Sequence, residues 1–365
     1  MNMQTRVHTM VNGLVLIDAP HSALNMLGRA EGAAAENQVV VKAIQRAGQF
    51  YPYVSAQAWR YWWRNLLAAE RGWTLSPIDR EKKIAFTQAQ PWHYPDDDLF
   101  GYMRAQAEMI PVLDKNTGDP QLDEQGQPKL KKGKNITLTR VSPLKCSPLV
   151  SVTAQRPTRD FGVMSRQEGD PVPHEHQFYA TVLKGIFSLD LTTVGRFEHS
   201  TKTGFQNISE PGLKLAQAAG ATVQDNLAEL PLKDRQQRAV DTVSILPYLS
   251  GGANQTLHLT DVAPKLVILT VLRGGNHLFM NVVQDARGQA QLNIAALKEV
   301  LRVFKDRLLT PVFIGRRAGF WDEQADELDR LKNDGQGDLP IVHVGELNAM
   351  VGKFCQMLPE AVARA

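Results

Sequence analysis

The sequence is poor in cysteine: Cys146 and Cys355 are the only two in 365 residues. A disulfide framework is therefore excluded, and neither thiol has a neighbour at metal-ligand spacing. Both read as ordinary thiols of a reducing, cytoplasmic setting. Long apolar runs are also missing. None approaches the roughly 18 residues needed to cross a bilayer, so no membrane partner is expected. Residues 1–15 carry Arg6 as their sole charge and break at Asn12 and Gly13, which is not the pattern of a secretory signal. An excess of one charge is missing too, with 41 Lys and Arg against 38 Asp and Glu. There is no HExxH, phosphate-binding Walker loop, GxSxG or dinucleotide fingerprint, and no internal repeat or heptad. No cofactor, metal or catalytic residue is assigned, and an enzyme is not expected. What is present is 43% apolar and 22% charged residues, within the range of globular domains.

The charge is unevenly spread. Between residues 129 and 166 nine basic side chains, including Arg140, Lys145, Arg156, Arg159 and Arg166, face a single acidic one, Asp160. From 317 onward nine acidic side chains outnumber five basic ones. A positive segment on a nearly neutral body suits a polyanion, because attraction to phosphate depends on local potential. The lysines of 129–134 read equally well as a solvated loop tip.

The clearest local pattern lies in 51–72. Ser55 stands where a helix cap belongs, and Trp59, Trp62, Trp63, Leu66 and Leu67 follow at helical spacing before Gly72 ends the run. The tryptophans are read as core. Gln57, Arg60, Arg64 and Arg71 fall on the opposite side, read either as solvated surface or as phosphate contacts. Residues 5–17 and 38–44 are expected to be extended, and 18–28 a turn-rich loop. Residues 74–175 read as a partly β inserted subdomain, and the glycine-spaced 192–220 as a long hairpin or projecting loop. Helices are expected over 232–249, after the cap Asn293, over 321–331 and from 347. Strands at 265–272 and 277–283 are expected to form a hairpin. The pattern fits an α+β domain with long insertions.

Chemistry-bearing groups are few. His174 and His176 flank Glu175 at a spacing that points both imidazoles one way along a strand, so a metal is conceivable, without an evident third ligand. Asp96–Asp98 follow Pro95 and read first as a helix start or turn, second as a cation site. Asp18 and His21 share the expected loop after the first strand.

Several blocks together carry a resemblance: residues 37–42, YPYVSAQAWRYWWR (51–64), SRQEGDPVPHEHQFY (165–179), FSLDLTTVGRF (187–197) and LSGGANQTLHLTDVAPKLVI (249–268). In this order they resemble the DevR family, the backbone subunits of the Cascade effector of type I, chiefly I-B-like, CRISPR systems. That resemblance implies a modified RNA-recognition-motif (ferredoxin-like) palm with a large fingers insertion and a β-hairpin thumb. The implied division is 1–73 palm, 74–175 fingers, 176–194 palm, 195–224 thumb, and 225–365 palm with C-terminal helices. It implies a non-catalytic subunit that polymerises with copies of itself along the spacer of a guide (CRISPR) RNA. The bases are then presented to a target DNA strand, beside other Cascade subunits.

The resemblance also implies RNA-facing positions. Asn25 lies in the loop after the first palm strand and Lys42 in the first block, while Ser55, Gln57, Arg60 and Arg64 lie on the first palm helix. Arg156, Arg159 and Arg166 belong to the basic stretch; Arg196, Phe197 and Lys202 to the thumb; Lys265 and Arg273 border late palm strands. A protein that accepts any spacer must hold phosphate and ribose rather than base edges. No aromatic pair of the usual RNA-recognition run is present, so stacking on the sheet is not expected. The alternatives are a metal-dependent ribonuclease of related fold, with Asp18 near the palm loop, and a regulatory nucleic-acid-binding protein.

Overall fold

The computed structural model describes residues 7–29, 38–81, 84–112, 114, 117, 121, 129–164, 172–200, 206–335 and 337–365. Among them the chain forms two compact units. One comprises 1–73, 143–194 and 232–365, the other 74–142 and 195–231.

The larger unit is built on one mixed sheet. Its spine runs, strand beside strand, Ile341–Glu346, Val312–Arg316, Leu266–Arg273, Thr9–Ser22, Val172–Asp190, Leu149–Ser151, Gln49–Val54 and Ala43–Arg46. The first strand is antiparallel to both neighbours, pairing Val15 with Gly185 on one side and with Val267 on the other. Such a central strand is covered on both faces, so it reads as a continuous apolar run rather than an alternating one. Met10, Val11 and every residue from Leu14 to Ile17 are buried. The strand extends to Ser22 with an irregularity between Ala19 and Ser22. Asp18 therefore sits in a strand opposite Val182, not in the loop expected from 18 onward. The long partner strand keeps the ladder going past the last apolar pair.

Ala56–Arg71 is a helix, capped by Ser55 and closed by Gly72 in the left-handed region at φ 66°. Trp59, Trp62, Trp63, Leu66 and Leu67 are its buried face. Trp63 meets Phe187 edge-on at 5.1 Å and Trp59 at 5.5 Å. Both indole N–H groups are satisfied, Trp59 donating to Ser147 O and Trp63 to Thr242 O, each at 2.8 Å. Burying two indoles without those acceptors would cost a few kcal/mol (roughly 1–3 per group). Phe187 fills the space over Gly13, where a Cβ would collide with the ring. The other face of the sheet buries Leu14, Leu16, Ile268, Phe279, Leu297 and Leu301, the last two from the helix Ile294–Val303, capped by Asn293 as expected.

Two expectations for this unit fail. Residues 277–283 do not pair with Leu266–Arg273, whose two edges are occupied by the first strand and by Val312–Arg316. They fold over the sheet instead, burying Leu278, Phe279 and Val282, and the hairpin forms further on between Val283–Ala286 and Gln289–Leu292. Likewise, 143–175 does not stay with the insertion. Strands Leu144–Cys146, Leu149–Ser151 and Thr158–Met164 all pair with Val172–Asp190.

The smaller unit holds the hairpin Tyr102–Pro111 with Leu130–Arg140 and the short helix Pro95–Phe100. Asp96, Asp97 and Asp98 are buried in it. Asp96 accepts Ser76 N, Asp97 accepts Gln90 N and Asp98 accepts Gly195 N, at 2.9–3.0 Å. Burial pushes the Asp97 carboxyl above its ordinary range. Asp98 also pairs with Arg140. The acids thus tie backbone together, as a helix start would. Residues 195–231 form a three-stranded sheet, Arg196–Glu198, Leu227–Glu229 and Thr222–Gln224, with the helix Glu210–Ala218. Ile208, Leu213, Ala216, Ala228 and Leu230 build its core. The single β-hairpin expected here is corrected. Ser209 caps that helix with Pro211 in its first turn, a start signal hidden among the glycines.

Candidate nucleic-acid interface

The sheet edge where the first strand ends brings four of the expected residues together. Asn25 lies in the bend after Ser22, and its Oδ1 accepts the Ser55 N–H at 3.0 Å. Its carbonyl accepts the Lys42 N–H at 3.1 Å, and the Lys42 carbonyl accepts Tyr53 N–H at 2.9 Å. Ser55 then caps the tryptophan helix through Ala58 N–H at 3.3 Å. Asn25, Lys42 and Ser55 are half-buried and Gln57 is exposed. A lysine, two amides and the positive end of a 16-residue helix converge there, and first-turn N–H groups with a nearby cation favour an anion. Chemically such groups can hold an anion or a hydroxyl.

The other expected residues are placed differently. Arg60 and Arg64 are half-buried, and Arg60 donates to the Leu144 carbonyl. Arg60 thus pins the helix to the sheet as much as it faces outward. Beside it Cys146 is buried enough for its thiol to be pushed up to about 12. Arg156 is exposed in the turn before Thr158–Met164. Arg159, also exposed, pairs with the buried Glu175 at 3.4 Å. Lys265 pairs with Asp261, and Arg273 is exposed at the end of its strand.

Arg196 and Phe197 are corrected from contact residues to core. Phe197 is fully buried under the Arg140 guanidinium at 4.8 Å, and Arg196 is 8% exposed and paired with Glu229 at 3.1 Å. A strand inside a small hydrophobic core leaves them no surface. Arg140 itself, expected among surface arginines, is buried on Asp98. Arg166 and Lys202 lie outside the described residues.

A histidine group borders the same edge and was not picked out in the sequence as a group. Residues 251–258 lie along the end of the first strand, Ala253 N donating to Leu24 O at 3.0 Å and Asn254 Nδ2 to Ala23 O at 3.2 Å. His258 stands 6.0 Å from His176 and 5.6 Å from Phe178. Burial, with His176 and His21 nearby, holds it below the usual histidine range. His176 meets Asp160 at 3.1 Å and stacks on His174 at 6.0 Å. Among the described residues no group of three His, Cys, Asp or Glu side chains is arranged to hold a metal ion. The His174–His176 pair is thus placed in ring stacking. No helix among them is long and apolar enough to cross a membrane.

Among known protein families the sequence matches none, and no curated protein sequence matches it. Solved structures do match. A chain of one described as "CRISPR RNA-guided surveillance complex" aligns over 95% of this chain and 98% of its own length, with 11% identity and a TM-score of 0.50. Another, from a "CRISPR RNA-guided surveillance complex, pre-nicking", aligns over 96% and 100%, with 12% identity and a TM-score of 0.51. At such identity the likeness is one of fold. It is a distant structural link to CRISPR surveillance complexes, through an α+β mixed-sheet architecture.

Proposed function

We propose that this chain is a non-catalytic, RNA-binding backbone subunit of a CRISPR effector, polymerising along the spacer of a guide RNA and offering its bases to a target DNA strand. The observation that carries this reading is the fold likeness, end to end on both chains, to components of RNA-guided surveillance complexes. The larger unit would serve as the palm. The smaller would supply the fingers and, in 195–231, the thumb.

The cluster of Asn25, Lys42, Ser55 and Gln57 is the proposed grip on the strand, with Arg64, Arg156 and Arg159 as further cations around it. Every group it offers can hold phosphate or a ribose hydroxyl, and the reading assigns the amides and cations to that backbone rather than to base edges. A subunit that must hold any spacer needs that indifference. Asp18, in a strand rather than a loop, lends nothing to a ribonuclease reading.

The test is RNA binding by the purified chain and by a Lys42→Ala, Arg156→Ala double variant. With two unrelated 30-nucleotide RNAs, the variant should lose affinity equally for both. The slope of log affinity against log salt should become less steep by about 1.4, that is about 0.7 for each single-strand phosphate that is no longer neutralised. A loss confined to one sequence, or a wild-type chain that stays monomeric and bare with RNA, would overturn the proposal.

A further inference from the structure

On the sheet of the larger unit, beginning two residues beyond Lys42 and Tyr53 along their strands, lies a cavity of about 420 Å³ that includes Lys184, Arg46, Tyr51 and Pro148 in its lining. Lys184 belongs to the strand Val172–Asp190 and pairs across the sheet with Val150, which in turn pairs with Tyr53. Tyr51, two residues before Tyr53, sits on the same face. Arg46 ends the edge strand Ala43–Arg46.

The charge balance here is unusual. The Lys184 ammonium donates to the Met280 carbonyl at 2.9 Å and, among the described residues, has no carboxylate within ion-pairing distance. Arg46, at the exposed rim, has none either. A half-buried cation held by one neutral acceptor bears a desolvation cost that, among the described residues, no carboxylate offsets. Burial accordingly holds Lys184 below the usual lysine range. The hydroxyls nearby are already engaged, Ser147 donating to Pro148 O at 2.8 Å and Ser151 to Thr153 O at 2.5 Å. The two cations, the Tyr51 phenol, the Gln284 amide and the second Asp285 carboxylate oxygen are therefore the polar groups open to a visitor, and Val150, Val152 and Ile186 supply an apolar floor. Asp285 stands in the same lining and accepts Gly288 N at 2.7 Å.

We infer that this cavity binds a phosphorylated nucleoside, its phosphate on Lys184 and Arg46 and its base against Tyr51 and the apolar floor. The volume falls in the range of small-ligand sites, roughly 300–1,000 Å³. A bare phosphate would leave the aromatic and apolar lining unused, and an uncharged ring would leave the lysine unpaired. Asp285 suits the ribose hydroxyls as an acceptor. The nucleotide comes either free or as one unit of a strand, and only the second source rests on the function proposed above.

Calorimetry of the full chain with AMP and UMP, set beside adenosine and inorganic phosphate, tests the site. The nucleotides should bind, and adenosine should bind at least about tenfold more weakly, because it brings no phosphate to form a charge-assisted pair. Lys184→Met, a neutral replacement of similar length, should weaken AMP by at least about tenfold. Arg46→Ala, on the exposed edge, is the second variant should Lys184→Met fail to fold. AMP binding that is absent, or unchanged in a folded variant, would overturn the inference. Competition with a 30-nucleotide RNA identifies the source: displacement of AMP marks a strand unit, and simultaneous binding marks a free nucleotide. If RNA binding is lost in Lys42→Ala, Arg156→Ala while AMP still binds, the two sites stand separately. AMP binding to a chain that never binds RNA would uphold the cavity and remove the function proposed above.

Discussion

Asn25 has two separable duties, because its Oδ1 takes the Ser55 N–H while its Nδ2 makes no hydrogen bond among the described residues. Asn25→Ala removes the acceptor and should lower stability by about 1 kcal/mol in urea unfolding. Asn25→Asp keeps the acceptor and adds a negative charge near a helix N-terminus, where it is tolerated or favoured. Its stability should stay at the wild-type level while RNA affinity falls, since the new charge faces phosphate. Equal stability for the two variants would contradict the bridging role. At this scale the sequence was legible in part. Ser55 and Gly72 announce their caps through residue type alone. Nothing local shows that Asn25 reaches Ser55, 30 positions away, or that Arg60 turns to Leu144.

The tryptophan helix shows what periodicity reaches and what it misses. Its buried face follows from spacing, since five large apolar residues at helical offsets have one side to occupy. The receiving surface is made by residues far apart in sequence: Gly13, Gly185 and Phe187 open the space that Trp59 and Trp63 fill. Gly13→Ala would place a methyl group inside the Phe187 ring position, so that ring must move and disturb Trp63. The expected cost is about 1–3 kcal/mol by denaturant unfolding, with helix content by circular dichroism unchanged below the transition. An unaltered midpoint would mean that the Phe187 ring shifts freely. The same distinction explains the two misread elements. The segment 277–283 is apolar enough for a strand but finds both edges of its intended partner taken. The stretch 195–231 hides a capped helix between glycines.

Across the larger unit, pH reaches stability through half-buried histidines. His277 Nε2 meets Phe187 O at 2.9 Å, and its Nδ1 accepts the Phe279 N–H at 3.3 Å. With Nδ1 accepting, Nε2 carries the proton and the ring is neutral. Burial holds its pKa below the ordinary value, as it does for His258. As pH falls through about 6.5 the unfolded chain takes up these protons first, so stability, complete above that pH, declines. The decline flattens once the folded chain is protonated as well. His277 should add up to about 1.4 kcal/mol per pH unit to the slope within that window, and the more exposed His258 less. His277→Gln, able to donate to Phe187 O and accept from Phe279 N, should make urea midpoints less dependent on pH between 7 and 5. An undiminished slope would place the titrating groups elsewhere.

The elements with strong one-dimensional signals were determined locally. The first strand, the capped tryptophan helix, the Asn293-capped helix and the C-terminal helix each carry periodicity and end signals within about twenty residues. Pairing decided the rest. Pairing assigns 143–175 to the larger unit, draws Arg140, Arg196 and Phe197 into the smaller unit's interior, and leaves Lys184 half-buried with no carboxylate within ion-pairing distance among the described residues. The reason is physical: a side chain's surroundings depend on which distant segments share its sheet face, and charge or hydrophobicity read along the chain carries no record of those neighbours.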